Sequence, residues 1–292
     1  TARHPSLDAM LVKSTDGGRS YTILGPQVNG FPEGESIRFT QLGLDPRGTP
    51  SKRRLYVTAG GLGVFKTDDA GLSWRRSSQG IPDGEEIVHL ALCPGQPDVL
   101  YAASGSAKPD GFRYFRHLSE AKVAGGRFGR LYRSDDQGKS WRRVFEGPAN
   151  IHDLAVHPRN PDIVYLAVAN LGEPVAKEAG LLKGGVYGTM DGGKTWSRVF
   201  HQSATTALAI RPDRPDQLFA AVREIQARHT NHPEAHRPGI YQSLDAGENW
   251  REVSGELKNQ ITTYRLLGIS PHDPEVLYVG TTGGFWRKRI TE

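Results

Sequence analysis

Short apolar segments separated by turn residues run along the whole chain. Five times, an apolar segment, a proline-bounded turn and a second apolar segment with an aromatic residue follow one another. These stretches read LGLDPRGTPSKRRLYV, LALCPGQPDVLYAA, LAVHPRNPDIVYLA, LAIRPDRPDQLFAA and LGISPHDPEVLYVG. Short apolar runs bounded by proline and glycine are typical of β-strands rather than helices. The pattern therefore predicts two consecutive strands, which we name a and b, in each of five repeats.

A second motif is repeated between these pairs of strands. Four segments read KTDDAGLSW, RSDDQGKSW, GTMDGGKTW and QSLDAGENW, and KSTDGGRSY near the amino end fits the same Ser/Thr-x-Asp-x-Gly-x-x-aromatic pattern. The glycine can adopt a positive φ, and the aspartate and hydroxyl can hydrogen-bond the loop's own backbone, as a tight turn requires. We therefore predict a structural turn between two further strands, c and d. The five aspartates with this structural role are Asp16, Asp69, Asp136, Asp191 and Asp245.

The motif resembles the Asp-box, or BNR repeat, of sialidases, sortilin-like receptors and xyloglucan hydrolases, where it is a turn on a β-propeller. The resemblance implies an all-β fold of four-stranded antiparallel blades, and strands a, b and d each occur five times. Strand c occurs a sixth time, because residues 284–287 repeat the pattern of residues 10–14. We therefore expect a single propeller of five blades, closed by pairing of the N-terminal and C-terminal strands. A six-bladed ring with an incomplete blade is the alternative.

The repeat spacing predicts one domain over residues 1–292. One blade is shared by residues 9–25 and 262–290, and the others span residues 36–78, 85–145, 150–200 and 205–254. Because successive strands alternate in direction, the a–b and c–d turns share one side of each blade. The b–c and d–a loops share the other side, which we call the loop side.

The amino-acid composition and charge bear on disulfides, nucleic-acid binding and membrane insertion. Cys93 is the single cysteine, so no intrachain disulfide is possible. The net charge is +5 and the pI is near 9.3, and many of the arginines follow the repeat tryptophans. On the outermost strand such arginines are solvated and discourage edge-to-edge pairing, so we expect no nucleic-acid partner. No apolar run is long enough to span a bilayer, and we expect no cofactor.

Three of the b–c loops are expanded, at residues 105–129, 171–185 and 224–239. Insertions on one side of a repeat usually mark its binding side, because loops vary there without disturbing the core. The first loop carries Arg113, Tyr114, Arg116 and His117, which either contact an anionic or sugar ligand or fold over the blade as a plug. The third carries His229, His232 and His236, a weak candidate for a metal site, although loops with several histidines are more often simply polar.

The residues that open each strand a are a second candidate site, because in a propeller they would converge at the mouth of the central channel. The candidates for ligand binding are Arg38, His89, His152 and Arg265. Asp153, Glu86 and Tyr264 are the candidates for the acid, base or nucleophile of a hydrolase, and none of them belongs to a motif.

Two resemblances bear on catalysis. A sialidase would carry an Arg-Ile-Pro segment near its amino end, whereas this chain has Ser36-Ile37-Arg38-Phe39. The phrase GGVYGTMDGGKTW is similar to xyloglucan hydrolases, a resemblance that implies two propellers facing across a cleft. Polysaccharide clefts also need free aromatic platforms, yet four of the five tryptophans lie in the repeat motif and Trp286 lies on strand c.

We therefore expect a non-catalytic binding propeller, an accessory or assembly module that binds a protein or a glycan on its loop side. A sialidase-like or xyloglucanase-like glycoside hydrolase, with its site at the channel mouth, is the alternative. The chain begins at Thr1, which fits either a processed or an engineered start. We expect a secreted or periplasmic protein in preference to a cytoplasmic one, either monomeric or a subunit of a complex.

Overall fold

The computed structural model describes residues 11–25, 30–31, 37–105, 129–147, 150–169, 184–224, 237–259, 264–270 and 272–290. Within these ranges the chain forms 21 β-strands, one 3-10 helix at Gly255–Asn259 and no α-helix. The all-β class predicted from the turn-rich pattern is therefore confirmed.

Four sheets contain four strands each, hydrogen-bonded in chain order. The first comprises β3 (Phe39–Leu44), β4 (Leu55–Ala59), β5 (Gly63–Thr67) and β6 (Arg75–Arg76). The second comprises β7 (Ile87–Cys93), β8 (Gln96–Ser104), β9 (Gly129–Ser134) and β10 (Arg142–Gly147). The third comprises β11 (Asn150–Val156), β12 (Val164–Ala169), β13 (Gly185–Thr189) and β14 (Ser197–Phe200). The fourth comprises β15 (Thr205–Ile210), β16 (Leu218–Val222), β17 (Gly239–Ser243) and β18 (Arg251–Glu252).

The two ends of the chain form smaller sheets. A two-stranded sheet comprises β1 (Leu11–Lys13) and β2 (Thr22–Gly25), and a three-stranded sheet comprises β19 (Tyr264–Ile269), β20 (Val276–Thr281) and β21 (Gly284–Arg289). The strands thus follow the predicted a, b, c, d repeat, and the five-bladed propeller class is confirmed. The pairing of N-terminal with C-terminal strands stays a prediction.

The chain divides into two compact units, one of residues 1–109 with 131–143 and one of residues 110–130 with 144–292. The predicted single-domain boundaries stay a prediction. Each unit has apolar cores that lie between successive sheets. In the first unit one core contains Tyr56, Leu90, Leu100 and Trp141. In the second unit one core joins Ala209 and Phe219 of the fourth sheet to Leu267 and Val279 of the last. Face-to-face stacking is possible because alternate residues of each strand point to opposite faces.

The Asp-box turns share one hydrogen-bond pattern in all five copies. In the copy at residues 189–196, Thr189 Oγ1 donates to Asp191 Oδ1 at 2.8 Å and accepts from Gly193 N at 3.0 Å. Thr195 donates its backbone N–H to Asp191 Oδ1 at 2.9 Å and its hydroxyl to Oδ2 at 2.6 Å. The side-chain bond from Thr195 is the largest cause that holds the pKa of Asp191 well below its usual range. The carboxylate therefore closes the turn around itself.

The box tryptophans connect each turn to the sheet before it. Their indole Nε1 atoms donate to backbone carbonyl oxygens at 2.8–3.1 Å, and the pairs are Trp74 with Leu24, Trp141 with Ser77, Trp196 with Val144 and Trp250 with Val199. Each acceptor lies in or directly after the previous strand d. These four rings are fixed by the fold, which agrees with the prediction that they are not platforms for sugars.

Replacing Trp141 with Phe is expected to destabilise the protein by about 1–3 kcal/mol, because the carbonyl of Ser77 loses its buried donor. Trp141 is 5% exposed, whereas Tyr21 fills the same motif position and is 63% exposed. Tyr21→Phe is the matched control and should change the free energy of unfolding by less than about 0.5 kcal/mol. Urea unfolding measures both, and equal losses in the two variants would contradict the assigned role of the indole bond.

Gly193→Ala is expected to destabilise the protein more than Gly17→Ala. Both glycines have a positive φ, at 91° and 73°, so both substitutions strain the backbone. A Cβ atom on Gly193 would lie 2.7 Å from Val144 Cβ, whereas one on Gly17 would meet nothing within 4 Å. The difference between their thermal midpoints therefore isolates the packing cost, and a zero difference would refute it.

Candidate functional site

Strand a of every repeat contains a β-bulge one or two residues after its start. The register shifts between the residues on either side of Thr40, Val88, His152, Thr206 and Arg265. A bulge adds one unpaired residue and re-aims the side chains around it. Two ligand-binding candidates from the sequence, His152 and Arg265, thus share one structural position.

Residues at or directly after the bulges also form hydrogen bonds from one strand a to the next within each unit. In the first unit, Leu90 N donates to Gln41 Oε1 at 3.1 Å. In the second unit, Leu208 N donates to Asp153 Oδ2 at 2.8 Å, and Thr206 Oγ1 donates to the carbonyl oxygen of Tyr264 at 3.0 Å. Gln41 and Asp153 both directly follow the bulge of their strand. Their side chains therefore join neighbouring sheets.

Asp153 is the most strongly perturbed of the catalytic candidates. Burial raises the pKa of Asp153 to about 6, and bonds from Leu208 N and Leu154 N oppose that effect. The Leu154 N–H donates to Oδ1 at 2.8 Å, so each carboxylate oxygen accepts a hydrogen bond from a backbone N–H. A pKa near 6 suits a general acid, but a carboxylate held at both oxygens by backbone is poorly placed to give a proton to a substrate.

Tyr264 is unsuited to act as a nucleophile. Its side chain is 1% exposed, and burial raises the pKa of its hydroxyl. A phenol becomes nucleophilic when its pKa falls, because the phenolate is the reactive form. The environment of Tyr264 raises its pKa, which disfavours the reactive phenolate.

The first unit brings two of the candidates together. Arg38 Nη2 lies 3.9 Å from Glu86 Oε1, with side-chain exposures of 40% and 26%. Both residues precede a strand a, and their carbonyl oxygens accept from Gly60 N at 2.8 Å and Gly105 N at 3.3 Å. Burial lowers the pKa of His89 to about 4, so its imidazole is neutral at pH 7. Arg38 is therefore the cation of this group, with Glu86 within ion-pair distance.

Two groups of candidates lie outside the described residues. They are Arg113, Tyr114, Arg116 and His117 in the first expanded loop and His229, His232 and His236 in the third. Among the residues that the structure describes, no three His, Cys, Asp or Glu side chains cluster as metal ligands would. The same residues contain no helix long and apolar enough to cross a membrane.

The sequence reasoning missed Arg223, which lies on the loop side of the second unit. Its backbone N–H donates to Ala204 O at 3.1 Å, the same bond that Gly60 and Gly105 make in their repeats. A glycine thus stands at this position in two repeats and an arginine in a third. Aligning the residues that follow strand b would have exposed this substitution.

Comparison with known proteins identifies relatives of this repeat. A sequence model of the Sortilin-Vps10 family, described as "Sortilin, neurotensin receptor 3", matches residues 129–280. A curated relative from Neosartorya fischeri, a probable oligoxyloglucan-reducing end-specific xyloglucanase, is 30% identical over 131 residues, which is 45% of this chain and 14% of that protein.

Solved structures agree in fold. An ancestral GH74 enzyme matches with a TM-score of 0.63 and 18% identity, over 96% of this chain and 36% of its own. YCF48 bound to D1 peptide matches with a TM-score of 0.55 and 14% identity, over 97% of this chain and 73% of its own. The chain therefore spans about a third of the GH74 enzyme and a smaller part of the curated relative.

Substituting Asp153 with Asn should change how stability depends on pH. The folded pKa of about 6 lies above the ordinary value of 3.8, so the contribution of Asp153 is fully present below pH 3.8 and lost as pH rises through 6. Between pH 4 and pH 8 we expect the wild type to lose about 2–3 kcal/mol relative to Asp153→Asn.

Asp245→Asn is the control for this measurement, because the pKa of Asp245 is lowered and it titrates below the pH window. Urea unfolding of the three proteins at several pH values gives the comparison. A stability difference between the wild type and Asp153→Asn that does not change with pH would overturn the assigned environment of this carboxyl group.

Proposed function

The chain belongs to the Sortilin-Vps10 family, and from this premise we propose that it is a non-catalytic binding module that holds a protein or glycan ligand on its loop side. The observation that carries the proposal is the engagement of Asp153, whose two carboxylate oxygens each accept a backbone N–H at 2.8 Å. A propeller hydrolase needs an acid and a base whose oxygens face the substrate. Asp153, the candidate whose pKa best suits a general acid, faces its own backbone instead.

The other catalytic candidates support the same proposal. Tyr264 is buried with a raised pKa, and Glu86 has Arg38 at 3.9 Å. Tyr264 is therefore packed inside the protein, and Glu86 contacts Arg38, and both arrangements compete with a catalytic role.

The loop side is the proposed binding surface because the repeat departs from its pattern there. The Asp-box turns on the opposite side are short, self-contained and nearly identical, with their polar atoms used within the turn. The three expanded b–c loops all extend from the loop side. Variable loops on a rigid repeat are a common way to build a ligand surface. We also propose a secreted or periplasmic location, and a monomer or complex subunit as its state.

A glycoside hydrolase is the second candidate function. It is favoured by the 30% identity over 131 residues with the probable xyloglucanase of Neosartorya fischeri. The pKa of about 6 at Asp153 would suit its general acid if substrate binding released one of the two backbone bonds. Xyloglucan oligosaccharides are therefore the first glycans to test.

The proposal predicts binding without turnover. The purified chain is titrated calorimetrically with xyloglucan oligosaccharides, and the same mixtures are assayed for new reducing ends. Affinity capture with the wild-type chain, using extract from its source, tests protein ligands in parallel. Replacing residues 172–182 with a short glycine-serine linker should weaken binding at least about tenfold, because part of the proposed ligand surface is removed. Met190 lies in an Asp-box turn, on the side opposite the loop side, and its side chain is 52% exposed. Met190→Ala should therefore leave binding unchanged.

Turnover that disappears in Asp153→Asn would overturn the non-catalytic proposal and favour the hydrolase. Binding that survives the loop replacement but is lost in Met190→Ala would refute the loop side as the ligand surface. Circular dichroism of each variant separates loss of binding from loss of fold.

A further inference from the structure

Arg223 is fixed at the base of the third expanded loop in the second unit. It directly follows β16, and its backbone N–H donates to Ala204 O at 3.1 Å. Val222 and Gly239 are paired across β16 and β17, so Arg223 and Arg237 stand at the two ends of the same loop. Arg237 N in turn donates to Gln202 Oε1 at 3.0 Å. The backbones of both arginines are therefore anchored to the short segment between β14 and β15.

The guanidinium of Arg223 has no counter-charge among the described residues. Its Nε atom is buried and lacks a hydrogen-bond partner there. Burial alone lowers the pKa of Arg223, with no neighbouring carboxylate to raise it. The adjacent Glu224 is exposed and forms no ion pair with it. The exposed side chain of Arg237 likewise forms no ion pair in the described part of the chain.

Two other arginines of the second unit have hydrogen-bond partners for their guanidinium groups. Arg211 is 5% exposed, and it donates to Asp213 at 2.9 Å and 3.1 Å and to Gln217 at 3.2 Å. Arg198, on β14 near the same segment, donates Nη2 to the carbonyl oxygen of His201 at 3.1 Å and to that of Gly184. Burying a cation without a partner is unfavourable, so an unpaired, partly buried guanidinium on an anchored backbone calls for a partner from outside.

We propose that Arg223, assisted by Arg237, is an oxyanion-binding site on the loop side of the second unit. The planar guanidinium presents several N–H donors, which match the paired oxygens of a carboxylate, sulfate or phosphate group. This inference rests on the proposed function and specifies it, since the ligand must carry such a group near the base of the third loop. The bonds to Ala204 O and Gln202 Oε1 fix the backbones of the two arginines before the ligand arrives.

The test titrates the full chain with sodium sulfate, sodium phosphate and sodium acetate, with ionic strength held constant by sodium chloride. Thermal melting reports binding, since a ligand of the native state raises the melting temperature. The wild type should be stabilised by at least one of these anions. Arg223→Gln should weaken that apparent affinity at least about tenfold, and Arg237→Gln should weaken it less. Comparing the three salts distinguishes carboxylate from sulfate or phosphate ligands.

Two further results keep the proposal open to refutation. Without the anions, Arg223→Gln should be at least as stable as the wild type, because an unpaired, partly buried cation has been removed. Arg198→Gln is the matched control: it loses bonds to two carbonyl oxygens, so it should melt earlier but keep the anion response. An unchanged response in Arg223→Gln, or the absence of any response in the wild type, would overturn the site. Binding of a neutral xyloglucan oligosaccharide would be unaffected by that failure, so the two proposals are judged separately.

Discussion

The carboxylate of the Asp-box, accepting hydrogen bonds from the backbone that surrounds it, is the interaction on which this architecture depends. Asp16 and Asp191 bind the hydroxyl two residues before them and the N–H and hydroxyl four residues after them. Because the aspartate side chain closes the turn, this short turn is sufficient to connect strands c and d. The aromatic that ends the motif is then positioned to bind the preceding sheet, so one short sequence provides both a turn and a contact between blades.

Because this short motif recurs in every repeat, the fold could be predicted from the sequence, whereas the candidate site could not. Strands, Asp-boxes and the tryptophan positions recur at near-constant spacing, and recurrence reveals structure independently of the partners of each side chain. The role of Asp153 does not recur in the same residue type, since Gln41 occupies the equivalent position in the first sheet. Its pKa near 6 depends on burial between two strands that are 55 residues apart in sequence. Such an environment cannot be inferred from spacing alone.

At the start of strand a, the catalytic candidate Asp153 is a connector between sheets through its bond to Leu208 N, and Thr206 is another through its bond to Tyr264 O. Arg223 was overlooked because it lies at the end of strand b, where the repeat pattern was weakest. Polar residues in a repeat protein are therefore best judged by comparing equivalent positions. A position that changes from glycine to arginine between repeats contains more information about ligands than a polar residue inside a repeated bond.

The bulge in strand a has a consequence for how such a chain diversifies. Elsewhere in a sheet, side-chain direction is tied to strict alternation, and shifting one residue reverses every side chain beyond it. The unpaired residue relaxes that coupling at one point in each repeat, at Thr40, Val88, His152, Thr206 and Arg265. Mutation can therefore alter five separate positions, one at a time, with the surrounding pleat left intact. New chemistry can thus accumulate repeat by repeat on an inherited scaffold.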